Sequence, residues 1–252
     1  MNEKPLNGKV ALITGGGGPA MGRAHCLSLS RLGAHIIILD KQEDHAKITA
    51  KKISSINGTS ETFIEDLENL SKIILIIGKI LKKRSIDILV NHAGISGLSK
   101  PLEEIDENFF DKMFNIHVKS AFFITQQIVP IMKKNRWGRI INISSDFSMY
   151  GSPSASHYTA AKSALLGLTK SWARELAPWK ITVNAVAPTL LKSELTIESK
   201  GEKFLSEESK NSPMGYLPNP IDVASVVSFL ATQEVITGQT ISPNGGRTIV
   251  GI

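Results

Sequence analysis

Residues 10–40 read VALITGGGGPAMGRAHCLSLSRLGAHIIILD. An apolar strand over Val10 to Ile13 runs into four consecutive glycines, Gly15 to Gly18, and a helix opens near Met21 and Gly22. Glycine tolerates positive φ and lets the backbone approach a pyrophosphate, which the positive end of the following helix attracts. The pattern therefore assigns Gly15, Gly18, Met21 and Gly22 to a phosphate-binding turn. A second apolar strand, Ala34 to Leu39, ends in Asp40, roughly 20 residues after the glycines, where a dinucleotide fold carries the acid that accepts the ribose hydroxyls. A carboxylate there repels a 2′-phosphate and favours NAD(H) over NADP(H). Lys41 beside it softens that repulsion and keeps NADP(H) open.

Further along, Asn142 to Lys162 read NISSDFSMYGSPSASHYTAAK. A serine pair ends an apolar strand, a turn-rich loop follows, and Tyr158 and Lys162 stand four apart on a helix, hence on one face. A free phenol titrates near about 10, and a fixed ammonium beside it favours the phenolate and draws that value toward neutrality. Ser145 is placed to hold the oxygen whose protonation changes. These residues form a proton-transfer device for an alcohol or a carbonyl.

Strands are expected near residues 10–13, 36–39, 62–65, 86–91, 139–144, 182–186 and 239–242, with helices between. Such alternation implies parallel strands with right-handed helical crossovers: an α/β, doubly wound, mostly seven-stranded sheet, residues 1–252 forming one dinucleotide-binding domain of Rossmann type. The polar, lysine-rich segment 189–219 is the least core-like. Ligands in such sheets bind beyond the carboxyl ends of the strands. Gly15, Asp40, Asp66, Asn91, Ser145 and Pro188 all fall there.

With these motifs in order the chain resembles the short-chain dehydrogenase/reductase family, among whose members it is similar to 3-oxoacyl-carrier-protein reductases. Asn91-His92-Ala93-Gly94 matches the element after the fourth strand, Asn115 the helix asparagine, and Ser145, Tyr158 and Lys162 the active site. Pro188, the run Pro213 to Ala224 and the ending TGQTISPNGG match later elements. The resemblance implies hydride transfer between a nicotinamide and a secondary alcohol or ketone. Tyr158 would be the general acid/base, Lys162 would tune it and hold the nicotinamide ribose, Ser145 would bind the substrate oxygen, and Asn115 would hold a water linking Lys162 to solvent. Asp66 and Leu67 would contact adenine; Asn91, Ala93 and Gly94 would line the middle of the cofactor; Pro188, Leu191 and Ser193 would meet its nicotinamide end. Ser96, Phe147 and Tyr150 are expected around the substrate, and segment 189–219 is expected to form a lid.

Three departures stand out. The phosphate turn is one residue longer than the family's, with Pro19-Ala20 at its middle glycine. Proline offers no N–H, which puts cofactor affinity in question. Thr189 replaces a glycine after Pro188, and His92 replaces a second asparagine, where it reads as a structural hydrogen-bonder.

The 252 residues suit one large α/β unit, and the lone cysteine, Cys26, precludes an internal disulfide and suggests a reducing, cytoplasmic setting with Cys26 in the core. The strand at Val10 leaves no room for a secretory leader, and Ile73 to Ile77 is too short to span a bilayer, so no membrane association is expected. A formal charge of +6 is spread out rather than clustered, which argues against nucleic acid. Arg136 is a weak pointer to an acyl thioester on an acidic carrier protein or coenzyme A, the alternative to a small carbonyl or alcohol substrate. A non-redox enzyme and a binding-only protein on the same fold are the other readings. No metal site is read. Phe122, Phe123, Leu165, Leu168 and Trp172 suggest a second apolar helix face and, with the resemblance, a homo-oligomer, tetramer ahead of dimer.

Overall fold

The structure, a computed structural model, describes residues 4–96 and 99–249. Seven strands form a single sheet: β1 (Val10–Thr14), β2 (His35–Asp40), β3 (Ser60–Ile64), β4 (Ile88–Asn91), β5 (Gly138–Ile143), β6 (Ile181–Val186) and β7 (Thr240–Ile241). Their order is β3-β2-β1-β4-β5-β6-β7, and every neighbouring pair is parallel. The chain thus winds outward from β1 in one direction and from β4 in the other. The switch between β1 and β4 opens a crevice at the carboxyl ends, where such folds bind ligands.

Alternation along the strands sorts the apolar residues into two cores. Ala11, Ile13, Ile36, Ile38, Val90 and Ile141 face helices α1 (Met21–Arg31) and α10 (Pro220–Thr232), whose Leu29, Val223 and Val227 complete that layer. Leu12, Ile37, Leu39, Leu89 and Ile140 face the other way, toward α3 (Leu70–Leu81), α5 (Ser120–Asn135) and α7 (Ser156–Leu176). A strand buried on both faces is what a parallel sheet requires. The run Ile73 to Ile77 lies in α3, with Ile73, Ile77 and Ile80 buried and Leu75 exposed. No helix among the described residues is long and apolar enough to cross a membrane.

The remaining helices are α2 (Glu43–Ser55), α4 (Glu107–Phe114), α6 (Phe147–Tyr150), α8 (Glu194–Lys200) and α9 (Glu202–Lys210). Between α4 and α5 the helix widens into a π-turn, Asn115–Lys119. Cys26 is fully buried and donates to the Gly16 carbonyl at 3.4 Å, and burial pushes its thiol well above the usual range, so packing is its role.

Two expectations change. The loop before Tyr158 contains the short α6, and α7 already begins at Ser156. Three of the five apolar positions on α5 and α7 are taken up within the chain. Leu165 and Trp172 are buried within the chain and Leu168 packs against the core, while Phe123 is half-buried and Phe122 exposed, its ring 5.3 Å from that of Phe123 and 5.8 Å from that of Trp172. Both helices lie against sheet and neighbouring helices, so a wide apolar stripe is already consumed.

Candidate active site

The phosphate turn is built by close approach. Gly15 has φ of +68°, and a side chain on it would strike Ala93 at 3.0 Å. A Cβ on Gly22 would come 2.0 Å from the Gly15 carbonyl oxygen, so α1 can pack against the turn only with glycine there. Gly17 donates its N–H to Asp40 Oδ2 at 2.9 Å, and Gln42 donates to Asp40 Oδ1 at 2.9 Å. This pins the acid at the end of β2, with lone pairs left for hydroxyl donors.

Ala20, the residue before α1, supplies no side-chain cap. No side chain therefore competes for the first-turn N–H groups of α1, which suits an anion. Pro19 lies before the helix, so its missing N–H is not one of these donors. The lengthened turn is compatible with a pyrophosphate.

A cleft opens beyond the strand ends. Gly15, Gly18, Asp40, Lys41, Asp66, Leu67, Ala93 and Gly94, all expected around a cofactor, line it. Lys41 and Asp66, both lining it, form an ion pair at 3.4 Å. Gln42, His45 and Leu195 also line it; sequence reading missed them, as a helix start and a polar segment carry no motif.

Other expected residues lie outside the lining of this cleft, with contacts of their own. Met21, the first residue of α1, packs against the core. Asn91 is paired in register with Asn142, and its Nδ2 donates to Asn142 Oδ1 at 2.9 Å and to Thr125 Oγ1 at 3.3 Å, tying β4 to β5 and α5. Leu191 is buried in the α1/α10 core. Ser193 caps α8, its Oγ accepting from the Thr196 N–H at 3.2 Å. Pro188 contributes its carbonyl, which accepts from the Asp146 N–H at 3.0 Å. Ser96 is exposed.

The second cluster hangs on β5 and α7. Ser144 Oγ donates to the Lys162 carbonyl at 2.8 Å, clamping the helix to the strand end, so the first serine is structural and Ser145 remains for the site. Lys162 is 4% exposed and donates from Nζ to the Ile143 carbonyl at 2.8 Å, with Nζ 5.7 Å from the centre of the Tyr158 ring. Ser145 and Tyr158 hydroxyls interact. His117, in the π-turn that Asn115 opens, stands edge-on to Tyr158 at 5.6 Å, and its Nε2 engages the backbone of Ile95, which lines the cleft. Gly94 has no side chain because a Cβ would lie 2.3 Å from the His117 ring. Phe147 meets Tyr158 at 6.3 Å and Tyr150 at 5.7 Å, so the expected aromatic residues do gather there.

The electrostatics correct one expectation. Burial, helped by the charge of Asp146 and opposed by the Ser145 hydrogen bond, raises the Tyr158 phenol to about 12, and burial lowers Lys162 to about 7. Desolvation outweighs the ammonium's pull because the same burial discharges the ammonium. Tyr158 is therefore a held proton donor at neutral pH. His92 is also corrected: its ring makes no hydrogen bond among the described residues through Nδ1, packs edge-on to His25 at 5.0 Å, and is driven down to about 3 by burial and then by Lys162.

A residue that sequence reading passed over completes the cluster. Asp146 is 1% exposed, and its Oδ1 accepts from Ser145 Oγ at 3.3 Å. Its signal was an acid directly after a strand-end serine pair.

A crevice at the switch point, a glycine turn against a helix start and a Ser-Tyr-Lys cluster define a dinucleotide-dependent enzyme of the carbonyl/alcohol type. The short chain dehydrogenase profile matches residues 9–203, and the chain belongs to that family of NAD(P)-binding oxidoreductases acting on CH–OH and C=O groups. It is 36% identical over 247 residues to a 3-oxoacyl-[acyl-carrier-protein] reductase of Thermotoga maritima, covering 97% of this chain and 99% of that one. An NAD-dependent glycerol dehydrogenase of Listeria innocua is 32% identical, with 97% and 95% covered. A crystal structure described as an NAD(P) dependent gluconate 5-dehydrogenase from Beutenbergia cavernae, with NADP bound at low occupancy, superposes with a TM-score of 0.90 at 28% identity, covering 96% and 97%.

Proposed function

We propose that the protein interconverts a secondary alcohol and a ketone, with Tyr158 as general acid/base and NAD(H) as the preferred cofactor. A bound reduced nicotinamide supplies the hydride. The chain's own residues do the rest. Asp40 and the α1 start hold the dinucleotide, Ser145 orients the carbonyl oxygen, and Tyr158 delivers its proton to that oxygen as charge develops on it. Lys162, tied to Ile143, stands beneath the phenol and takes up the proton balance behind it. Asn115 opens the π-turn and would order water toward Lys162. The observation that carries the reading is the placing of Ser145, Tyr158 and Lys162 together, with His117 bridging from Tyr158 to the cofactor cleft.

The preference for NAD(H) rests on Asp40, whose two oxygens are fixed by Gly17 and Gln42 at the ribose position, while Lys41 is engaged by Asp66. Segment 189–219 is the lid, held to the C-terminal loop by Arg247 to Glu208 at 2.6 Å and Ser212 to Gly245 at 3.2 Å. A single buried Cys26 suits a reducing, cytoplasmic setting. Two-fold assembly through α5 and α7 stays in the proposal on a narrower basis, the exposed Phe122, and light scattering that returns a monomer would remove it.

A second reading, reduction of an acyl thioester, draws on the Thermotoga maritima relative. Its sequence pointer, Arg136, donates to the Pro178 carbonyl at 3.2 Å and lies 5.9 Å from the Trp179 ring centre. That cation is partly committed within the chain. Titration with NADH and NADPH, followed by a panel of ketones and acetoacetyl-coenzyme A, separates the readings. Tighter NADH binding with ketone turnover supports the first, thioester turnover alone supports the second, and dinucleotide binding without turnover would defeat both.

A further inference from the structure

His117 is a buried polar ring between two parts of the site. It lies in the π-turn Asn115–Lys119, a local widening of the helix that re-aims its side chains. It is 3% exposed and neutral, since burial first and then the charge of Lys162 hold it well below 6.5. The ring sits where a side chain on Gly94 would be. The Ile95 N–H donates to Nε2 at 3.1 Å, and the Ile95 carbonyl oxygen lies 3.0 Å from the same nitrogen. A nitrogen of a neutral imidazole is either donor or acceptor, so Nε2 serves one of these two groups at a time. The same ring meets Tyr158 edge-on, 5.6 Å between centres at 88°. Gly94, Ile95 and Ile116 all line the cofactor cleft, so one ring touches both the wall of the cleft and the proton donor. Core packing alone does not call for histidine here. Nδ1 is buried without a hydrogen-bond partner among the described residues, a cost that a phenyl ring of similar size would not carry. What the imidazole adds is its hold on Ile95.

We infer that His117 is a positioning residue: it fixes the Tyr158 phenol relative to the Gly94–Ile95 wall of the cleft, so that the proton donor and a bound dinucleotide are aimed at one carbonyl. This rests on the carbonyl/alcohol reading of the site. The carbonyl carbon takes the hydride and its oxygen takes the Tyr158 proton, so both groups must be in line at once. A misplacement of about 1 Å costs about 10² in rate. Tyr158 is also bonded to Ser145 and flanked by Phe147 at 6.3 Å, but neither of these lines the cofactor cleft. His117 alone of the three joins the phenol to that wall. It touches no reacting atom and gives up no proton. Asp40 and the glycine turn hold the dinucleotide through groups outside these contacts, so binding should survive the loss of His117 while turnover does not.

The test compares the wild-type chain with His117→Phe, which keeps a ring and drops the hold on Ile95, and His117→Gln, which keeps a hydrogen-bonding group and drops the ring. Each is also made in a Tyr158→Phe background. Fluorescence titration with NADH gives affinity and the number of binding sites. Turnover of butan-2-one, cyclohexanone and ethyl acetoacetate is counted per bound dinucleotide, which removes any unfolded fraction, and either variant carries the comparison if the other fails to fold. Both should lower kcat about 10–100-fold with NADH affinity within about threefold of wild type. In the Tyr158→Phe background the same changes should cost less than about threefold, because a residue that acts through the phenol has nothing left to position. A merely structural residue would lower the melting temperature and leave kcat per bound dinucleotide alone. Unchanged kcat in the variants, a loss of NADH affinity in step with kcat, or an equal loss with and without the Tyr158 hydroxyl would overturn the inference while leaving the redox reading intact. A wild-type chain that binds NADH and converts none of the three ketones would count against that reading instead.

Discussion

Replacing Lys162 by Met should make the protein more stable at low pH while removing its activity. Lys162 titrates at about 7 in the fold against 10.5 when free, because it is buried. Between those values the unfolded chain binds a proton that the folded chain does not, so wild-type stability increases as pH rises from 7 to 10.5 and the full penalty applies below pH 7. At about 1.4 kcal/mol per pKa step, that penalty is about 5 kcal/mol. Methionine keeps the length and removes the charge, but it strands the Ile143 carbonyl that accepts from Nζ at 2.8 Å. That loss is about 1–3 kcal/mol. The variant should therefore gain about 2–4 kcal/mol at pH 6 and lose about 1–3 kcal/mol at pH 10.5, where only the stranded carbonyl counts. Urea unfolding at pH 6, 8 and 10, read as midpoint and slope, measures the difference directly. Parallel stability curves for the two proteins across that range would refute the reasoning, since they would mean that Lys162 titrates alike folded and unfolded.

Tyr158→Phe keeps the ring and its contacts with His117 and Phe147 but removes the proton; kcat should fall about 10²–10⁴-fold with dinucleotide affinity little changed, and steady-state kinetics beside fluorescence titration checks both. Burial holds His25, His92 and His117 well below 6.5, His92 at about 3, so the unfolded chain takes up protons first and stability should fall as pH drops below 6.5; His92→Asn should flatten that slope by about 1.4 kcal/mol per pH step, measured by denaturant unfolding from pH 6.5 to 4. Gly22→Ala should cost about 1–3 kcal/mol and weaken dinucleotide binding, because its methyl meets the Gly15 carbonyl and the turn must open; a variant with wild-type melting temperature and affinity would contradict that packing.

The sheet was legible because both signals that specify it are local. Short apolar runs mark the strands, four glycines mark the first turn, and Asp40 falls at a strand end whatever the tertiary detail. Tyr158 and Lys162 share a helix face by spacing alone. What stayed hidden depends on burial, which sequence does not encode residue by residue. Asp146 reads as an ordinary turn acid until the chain closes over it. The direction of the Tyr158 shift reversed because a neighbouring charge is visible in the sequence and the loss of water around both groups is not. Ser193 and Leu191 lie in a segment whose short helices have weak patterns, so the cap that one makes and the core contact of the other were not legible. Leu165 and Trp172 looked like part of a surplus face because α5 and α7 each pack on more than the sheet.

The central claim is that hydride passes to a carbon whose oxygen takes its proton from Tyr158. Reduction of a ketone with dinucleotide deuterated at the transferable ring position tests this most directly, with the product analysed by mass spectrometry and NMR. The account predicts one deuterium on the carbinol carbon of the wild-type product, one equivalent of nicotinamide oxidised per product, and the same label at a rate about 10²–10⁴-fold lower in Tyr158→Phe. Product formed without deuterium on that carbon, or substrate converted with no nicotinamide oxidised, would contradict it.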